Sequence, residues 1–212
     1  MLIAIMVGLL VASLVACLMV GARMAYTRST VYDFLIWNLF LAWVPLLFLL
    51  WRRKTTNLWA RRAMAVGWLA FYPNAPYIVT DLKHIRWATN AAWWYDMALV
   101  FLFALLGMRV GLYSLALLQA EVAERRGRAA GWAFAAFVCF LAGVGVYIGR
   151  FQRWNSWDII RDPIGLVKDT LRLFTNPDVL PRLIGVSLLY AVLQLLCYIT
   201  LSGVESKSVS KA

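Results

Sequence analysis

The chain has 212 residues, 63% of them hydrophobic, and a mean hydropathy of +0.73. A soluble domain carries nearer ~45–50% apolar residues, so an ordinary soluble fold is excluded and a bilayer is the expected solvent. The 21 Lys and Arg against 10 Asp and Glu leave a net charge of +11; because the cations fall between apolar runs, they read as topology signals and phosphate-facing loops, with no nucleic acid expected as a partner.

Six runs have the length and apolarity that cross a hydrocarbon core: about 2–20, 31–51, 64–79, 93–118, 130–149 and 183–201. The expected fold is therefore all-α, a polytopic membrane helix bundle of six spans forming a single integral membrane domain over residues 1–212. Neither a low-complexity tract nor an internal repeat interrupts it. Leu14-Val-Ala-Cys17 resembles a lipobox, yet no Lys or Arg precedes it and the apolar run continues through Val20, so an uncleaved first span is expected. Cys17, Cys139 and Cys197 each fall inside an apolar run, spaced too widely for a metal cluster or a disulfide framework.

Span two is followed by a short loop carrying Arg52, Arg53, Lys54, Arg61 and Arg62 with no acid, whereas the cations of the long fifth loop lie among aspartates. Short, dense basic loops dominate orientation, so loops two and four and both termini are expected in the cytoplasm of a bacterial inner membrane. The odd-numbered loops then share the other face. Span three is short because Phe71-Tyr-Pro-Asn-Ala-Pro-Tyr-Ile-Val-Thr-Asp-Leu-Lys-His84 breaks it with two prolines and an asparagine. Hydrocarbon offers nothing to freed backbone groups, so such a break is expected in the wall of a polar site.

Gly107 and Gly111 in span four, and Gly145 and Gly149 in span five, are four apart and allow close helix contact, which reads as packing. Arg109 reads as a snorkelling side chain or a buried functional one. Trp51, Trp59, Trp93, Trp94, Trp132, Trp154 and Trp157 fall near span ends, where indole rings settle at the headgroups. In loop five, Asp162-Pro163 opens a helix over about 163–175; Ile164, Val167, Leu171 and Phe174 recur on one side of it and Lys168, Asp169 and Arg172 on the other. This is an interfacial amphipathic helix, either covering a site or simply packing.

The polar residues of the odd loops make a constellation. Asp81 and His84 are three apart, a spacing that lets a carboxylate orient an imidazole or lets both ligate a metal; no metal is expected, because His84 is the only histidine. Arg150 and Arg153 could grip a phosphate or carboxylate, or pair with Asp158, Asp81 or Asp96 as an ion network. Asn38, Asn74, Tyr77 and Asn155 would orient a ligand, and Asp81, His84, Asp96 and Asp158 are the candidates for acid or base work. A serine triad around Ser156 and Asp158 is not supported.

Trp37-Asn38, Leu41-Ala-Trp-Val-Pro45, Pro73-Asn-Ala-Pro-Tyr-Ile-Val-Thr-Asp-Leu82, Tyr95-Asp96, Gly149-Arg-Phe151 with Arg153, and Asn155-Ser-Trp-Asp158 resemble the signature blocks of a bacterial family of multi-pass membrane proteins, domain-of-unknown-function family 1361. The resemblance covers roughly residues 31–200. It implies an integral membrane location and attaches no activity, cofactor or catalytic residue. On chemistry alone, the expected function is recognition of an anionic lipid headgroup or lipid-linked substrate on the non-cytoplasmic face, with segment 71–84 touching segment 150–158. The alternative is a non-catalytic assembly partner or small-solute permease component whose polar cluster is structural. No cofactor is expected.

Overall fold

The computed structural model describes residues 2–85 and 93–209, with side chains described over 4–85 and 93–200. Loop three beyond Ile85 and the last residues of the basic tail lie outside the described residues. Among those described, every regular element is helical: α1 (Leu2–Thr27), α2 (Phe34–Lys54), α3 (Leu58–Phe71), α4 (Asn74–Tyr77), a 3-10 run (Ile78–His84), α5 (Trp93–Arg126), α6 (Arg128–Phe151), α7 (Asp158–Arg161), α8 (Pro163–Thr175) and α9 (Leu180–Val209). Among the described residues, five stretches are long and apolar enough to cross a membrane: Ala4–Thr27, Phe34–Lys54, Trp93–Arg126, Arg128–Phe151 and Leu180–Thr200. The expected third span is not among them. Its helix starts earlier, at Leu58, where Asn57 caps it by accepting from the Trp59 and Ala60 amides, and it ends at Phe71 after 14 residues.

The chain forms two compact units, Met1–Tyr113 and Ser114–Ala212. In the first, α2 packs along α3, α4 and the 3-10 run. The contact is close at Gly67, where an added Cβ would sit 2.9 Å from the Phe48 ring. The Pro-Asn-Ala-Pro break is milder than two prolines suggest: Tyr72, Pro73, Tyr77 and Ile78 all keep right-handed helical dihedrals. What changes is the hydrogen bonding. Proline has no N–H to give, the Ala75 amide bonds Tyr72 O instead of Phe71 O, and the freed Phe71 carbonyl accepts from Asn74 Nδ2 at 2.9 Å. The mended segment lies against α5, with Ile78 and Ala75 in the space that Cβ atoms on Gly107 and Gly111 would fill. The glycine pair is the platform on which the broken helix docks.

In the second unit α6 and α9 pack along their length. Gly143 lies against the backbone of Ser187, and Gln194 Nε2 donates to Cys139 O at 3.2 Å. Only Gly127 separates α5 from α6, and its φ of +90° is a turn that a residue with a Cβ resists. Asp162 caps α8 by accepting from the Gly165 amide at 2.8 Å. The side of α8 that packs differs from the apolar face read from spacing. Leu173 is buried with Val144, Tyr147 and Leu183, while Ile164, Val167, Leu171 and Phe174 are exposed.

Candidate functional site

The residues of the expected site are shared between the units: Phe71–His84 belongs to the first and Arg150–Asp158 to the second, and each is described within its own unit. In the first unit a connected set of polar side chains joins four elements. Arg23, near the end of α1, is 7% exposed, and Asp96, in the first turn of α5, is 1% exposed. Arg23 Nε donates to Asp96 Oδ1 at 2.8 Å and Nη2 to Oδ2 at 2.9 Å. Both carboxylate oxygens therefore meet a planar guanidinium fork, the strongest geometry for this pair. Arg23 also donates to Thr27 Oγ1 at 3.2 Å, and its Cζ lies 4.5 Å from the centroid of the Tyr32 ring, a cation–π contact.

Tyr32 carries the set onward. Its ring is buried and its hydroxyl donates to His84 O at 3.2 Å. The His84 imidazole meets the Phe34 ring edge-on at 5.2 Å, and its Nδ1 is 3.7 Å from Asp81 Oδ1, too long for a hydrogen bond. Asp81 is 1% exposed and its other oxygen accepts from Asn38 Nδ2 at 2.8 Å. Asp96, Arg23, Tyr32, His84, Asp81 and Asn38 thus run in sequence from α5 through α1 to the start of α2 and the end of the 3-10 run. Two further contacts fasten α1: Tyr95 OH donates to Met19 O at 2.9 Å, and Trp43 Nε1 to Ser13 Oγ at 3.1 Å.

Of the residues picked from sequence, Asp81, His84, Asp96 and Asn38 are brought together, with the imidazole the most exposed member of the set at 40%. Asn74 bonds its own segment's backbone, and Tyr77 is half-buried beside it with its carbonyl accepting from Thr80 Oγ1 at 2.6 Å. Arg23 and Tyr32 were missed. Ending the first span at Val20 left Arg23 as a loop cation, whereas α1 continues through Thr27. The signal was available in Asp96: an acid at the head of a span needs a partner, and a lone arginine trailing an apolar run is a natural one.

In the second unit, α6 ends at Phe151 and the chain turns through Arg153, whose φ of +61° is left-handed. Arg150 therefore belongs to the last turn of α6, and Arg153 lies beyond its end. Arg150 is half-buried and Arg153 exposed. Asp158 reaches back to accept from the Asn155 amide at 2.7 Å, while the Asp158 amide bonds Asn155 O at 3.0 Å, which closes the turn leading into α7. Asn155 itself is exposed. Among the described residues, no three His, Cys, Asp or Glu side chains gather in a group that could hold a metal ion.

Five long apolar helices among the described residues, and a buried carboxylate–guanidinium pair joining α1 to α5, define the class, a helical integral membrane protein. The family described as Protein of unknown function (DUF1361) matches residues 37–197, three quarters of the chain, and the chain belongs to that family. Comparison with curated proteins gave no match, and neither did comparison with solved structures.

Proposed function

We propose that the protein is a non-catalytic component of the cytoplasmic membrane whose polar cluster is a clasp. In this reading six segments cross the bilayer, the five long helices and the mended segment 58–84, with α8 lying in the interface and both termini in the cytoplasm. The clasp holds α1, α2, the 3-10 run and α5 together where no hydrophobic force distinguishes helix from lipid. One observation carries it: Asp96 is buried and both its oxygens are committed to Arg23. A carboxylate so held is a fastener. Melting of the purified protein in mild detergent, followed alongside native mass spectrometry, tests it. Asp96→Asn should lower the melting temperature by several degrees, and Asp81→Asn should change no co-purifying mass. Loss of a bound molecule from Asp81→Asn at unchanged melting temperature would contradict the clasp.

A second reading belongs to the second unit, where Arg153 and Asn155 are exposed beyond the end of α6 with Arg150 beside them. These residues would hold an anionic lipid headgroup or lipid-linked substrate, with guanidinium supplying paired N–H donors that ammonium lacks. Arg150→Lys should then remove a co-purifying anionic lipid from the mass spectrum while the protein stays folded and inserted. Equal retention by the variant and the parent would remove this reading.

A further inference from the structure

The exposed face of α8 is not the face that attaches it. Leu173 is buried against Val144 and Tyr147 of α6 and Leu183 of α9, and both of those helices are apolar enough to cross a bilayer. A helix fixed to two spanning helices close to where one ends and the other begins is held near the bilayer surface. Ile164, Val167 and Leu171, exposed by 67%, 57% and 61%, form with Phe174 a second apolar stripe at i, i+3, i+7 and i+10, turned away from that attachment. Lys168 and Arg172, both exposed, flank it. In α7 just before, Ile160 is 77% exposed.

We infer that this stripe is seated in the phospholipid interface of the membrane the chain spans, with the aliphatic side chains among the upper acyl carbons and Lys168 among the phosphates. The inference rests on the membrane reading above and goes further in naming what drives the seating. Charge is a minor part: Asp169 lies 3.4 Å from Arg172, Asp162 caps the helix start, and over 158–175 Asp158, Asp162 and Asp169 balance Arg161, Lys168 and Arg172. Four apolar side chains are the larger contribution, so seating does not depend on anionic lipid. This separates it from the headgroup reading of Arg150 and Arg153, which requires a lipid anion.

The test uses the full chain, with Cys17, Cys139 and Cys197 replaced by alanine, carrying a nitroxide at Val167→Cys in phosphatidylcholine vesicles. Accessibility to oxygen, which partitions into lipid, is compared with accessibility to a water-soluble nickel chelate. The expected result is oxygen access exceeding chelate access several-fold at Val167, with the opposite at Lys168→Cys, and no change when a third of the lipid is made anionic. Ile164→Cys gives the same readout if Val167→Cys folds poorly. High chelate access at Val167 would overturn the inference. So would low access to both reagents, which would mean that protein covers the stripe, or lipid-like access that requires anionic lipid. A label at Leu189→Cys on α9, 66% exposed, reports the membrane reading itself: water there would sink that reading, and lipid there with water at Val167 would sink only the seating of α8.

Discussion

An arginine 7% exposed, on a helix whose Leu10, Leu14 and Leu18 stand open to the surroundings, must be neutralised where it lies. Asp96 does this with both oxygens, and the asymmetry of such pairs sets the prediction: removing one partner strands the other charge. Arg23→Ala should therefore cost about 3–5 kcal/mol in reversible unfolding from detergent micelles. Arg23→Lys should recover only part, since one ammonium cannot reproduce the fork. The residue scale is also where sequence reading was least informative. Asp81, Asn38 and His84 were legible as polar residues out of place, and Asp96 likewise; their pairing was not, because the partner of Asp96 lies 73 positions away and looked like an ordinary loop cation. Arg153 shows a smaller cost. Its left-handed φ just after the end of α6 is a place for glycine, so Arg153→Gly should leave stability unchanged or raise it by up to ~1 kcal/mol. A stability loss on that substitution would show that the side chain is held by something worth more than the strain.

At the scale of elements, the two prolines and Asn74 read in sequence as a broken helix in the wall of a polar site. The structure closes the break with the chain's own groups: Asn74 Nδ2 takes the Phe71 carbonyl, Thr80 Oγ1 takes that of Tyr77, and Ala75 and Ile78 dock on the Gly107 and Gly111 side of α5. Helix periodicity could not reveal this, since the repair depends on which carbonyl each side chain reaches. The glycine pair was legible as packing, though not its partner. Gly111→Val should push Ala75 off α5 and cost about 1–3 kcal/mol, visible as a lowered unfolding midpoint. Gly127→Ala, at the one-residue turn into α6, should cost about 1–3 kcal/mol, because a φ of 90° with ψ of 160° is open essentially to glycine alone. A midpoint unaltered by both changes would mean that neither close approach nor turn is as tight as drawn.

For the whole molecule, the all-helical class and three of the five long apolar stretches followed from run lengths to within a few residues; α1 ran on to Thr27 and α5 to Arg126, because a polar helix end carries no hydropathy signal. The expected span three was the exception, for its helix stops at Phe71 after 14 residues and is followed by the short α4 and the 3-10 run. The six-segment reading makes a prediction that five complete crossings would not share: the two chain termini lie on the same side. Single cysteines placed at each end should both react, or both fail to react, with a membrane-impermeant maleimide applied to intact cells, and opposite labelling would reduce segment 58–84 to a re-entrant element. The clasp itself is most directly tested by a double-mutant cycle on Arg23 and Asp96, measuring unfolding free energy for Arg23→Leu, Asp96→Leu and the pair together. The account predicts that each single change costs about 3–5 kcal/mol and that the pair returns to within about 1 kcal/mol of the parent; single changes without cost, or costs that simply add, would contradict it.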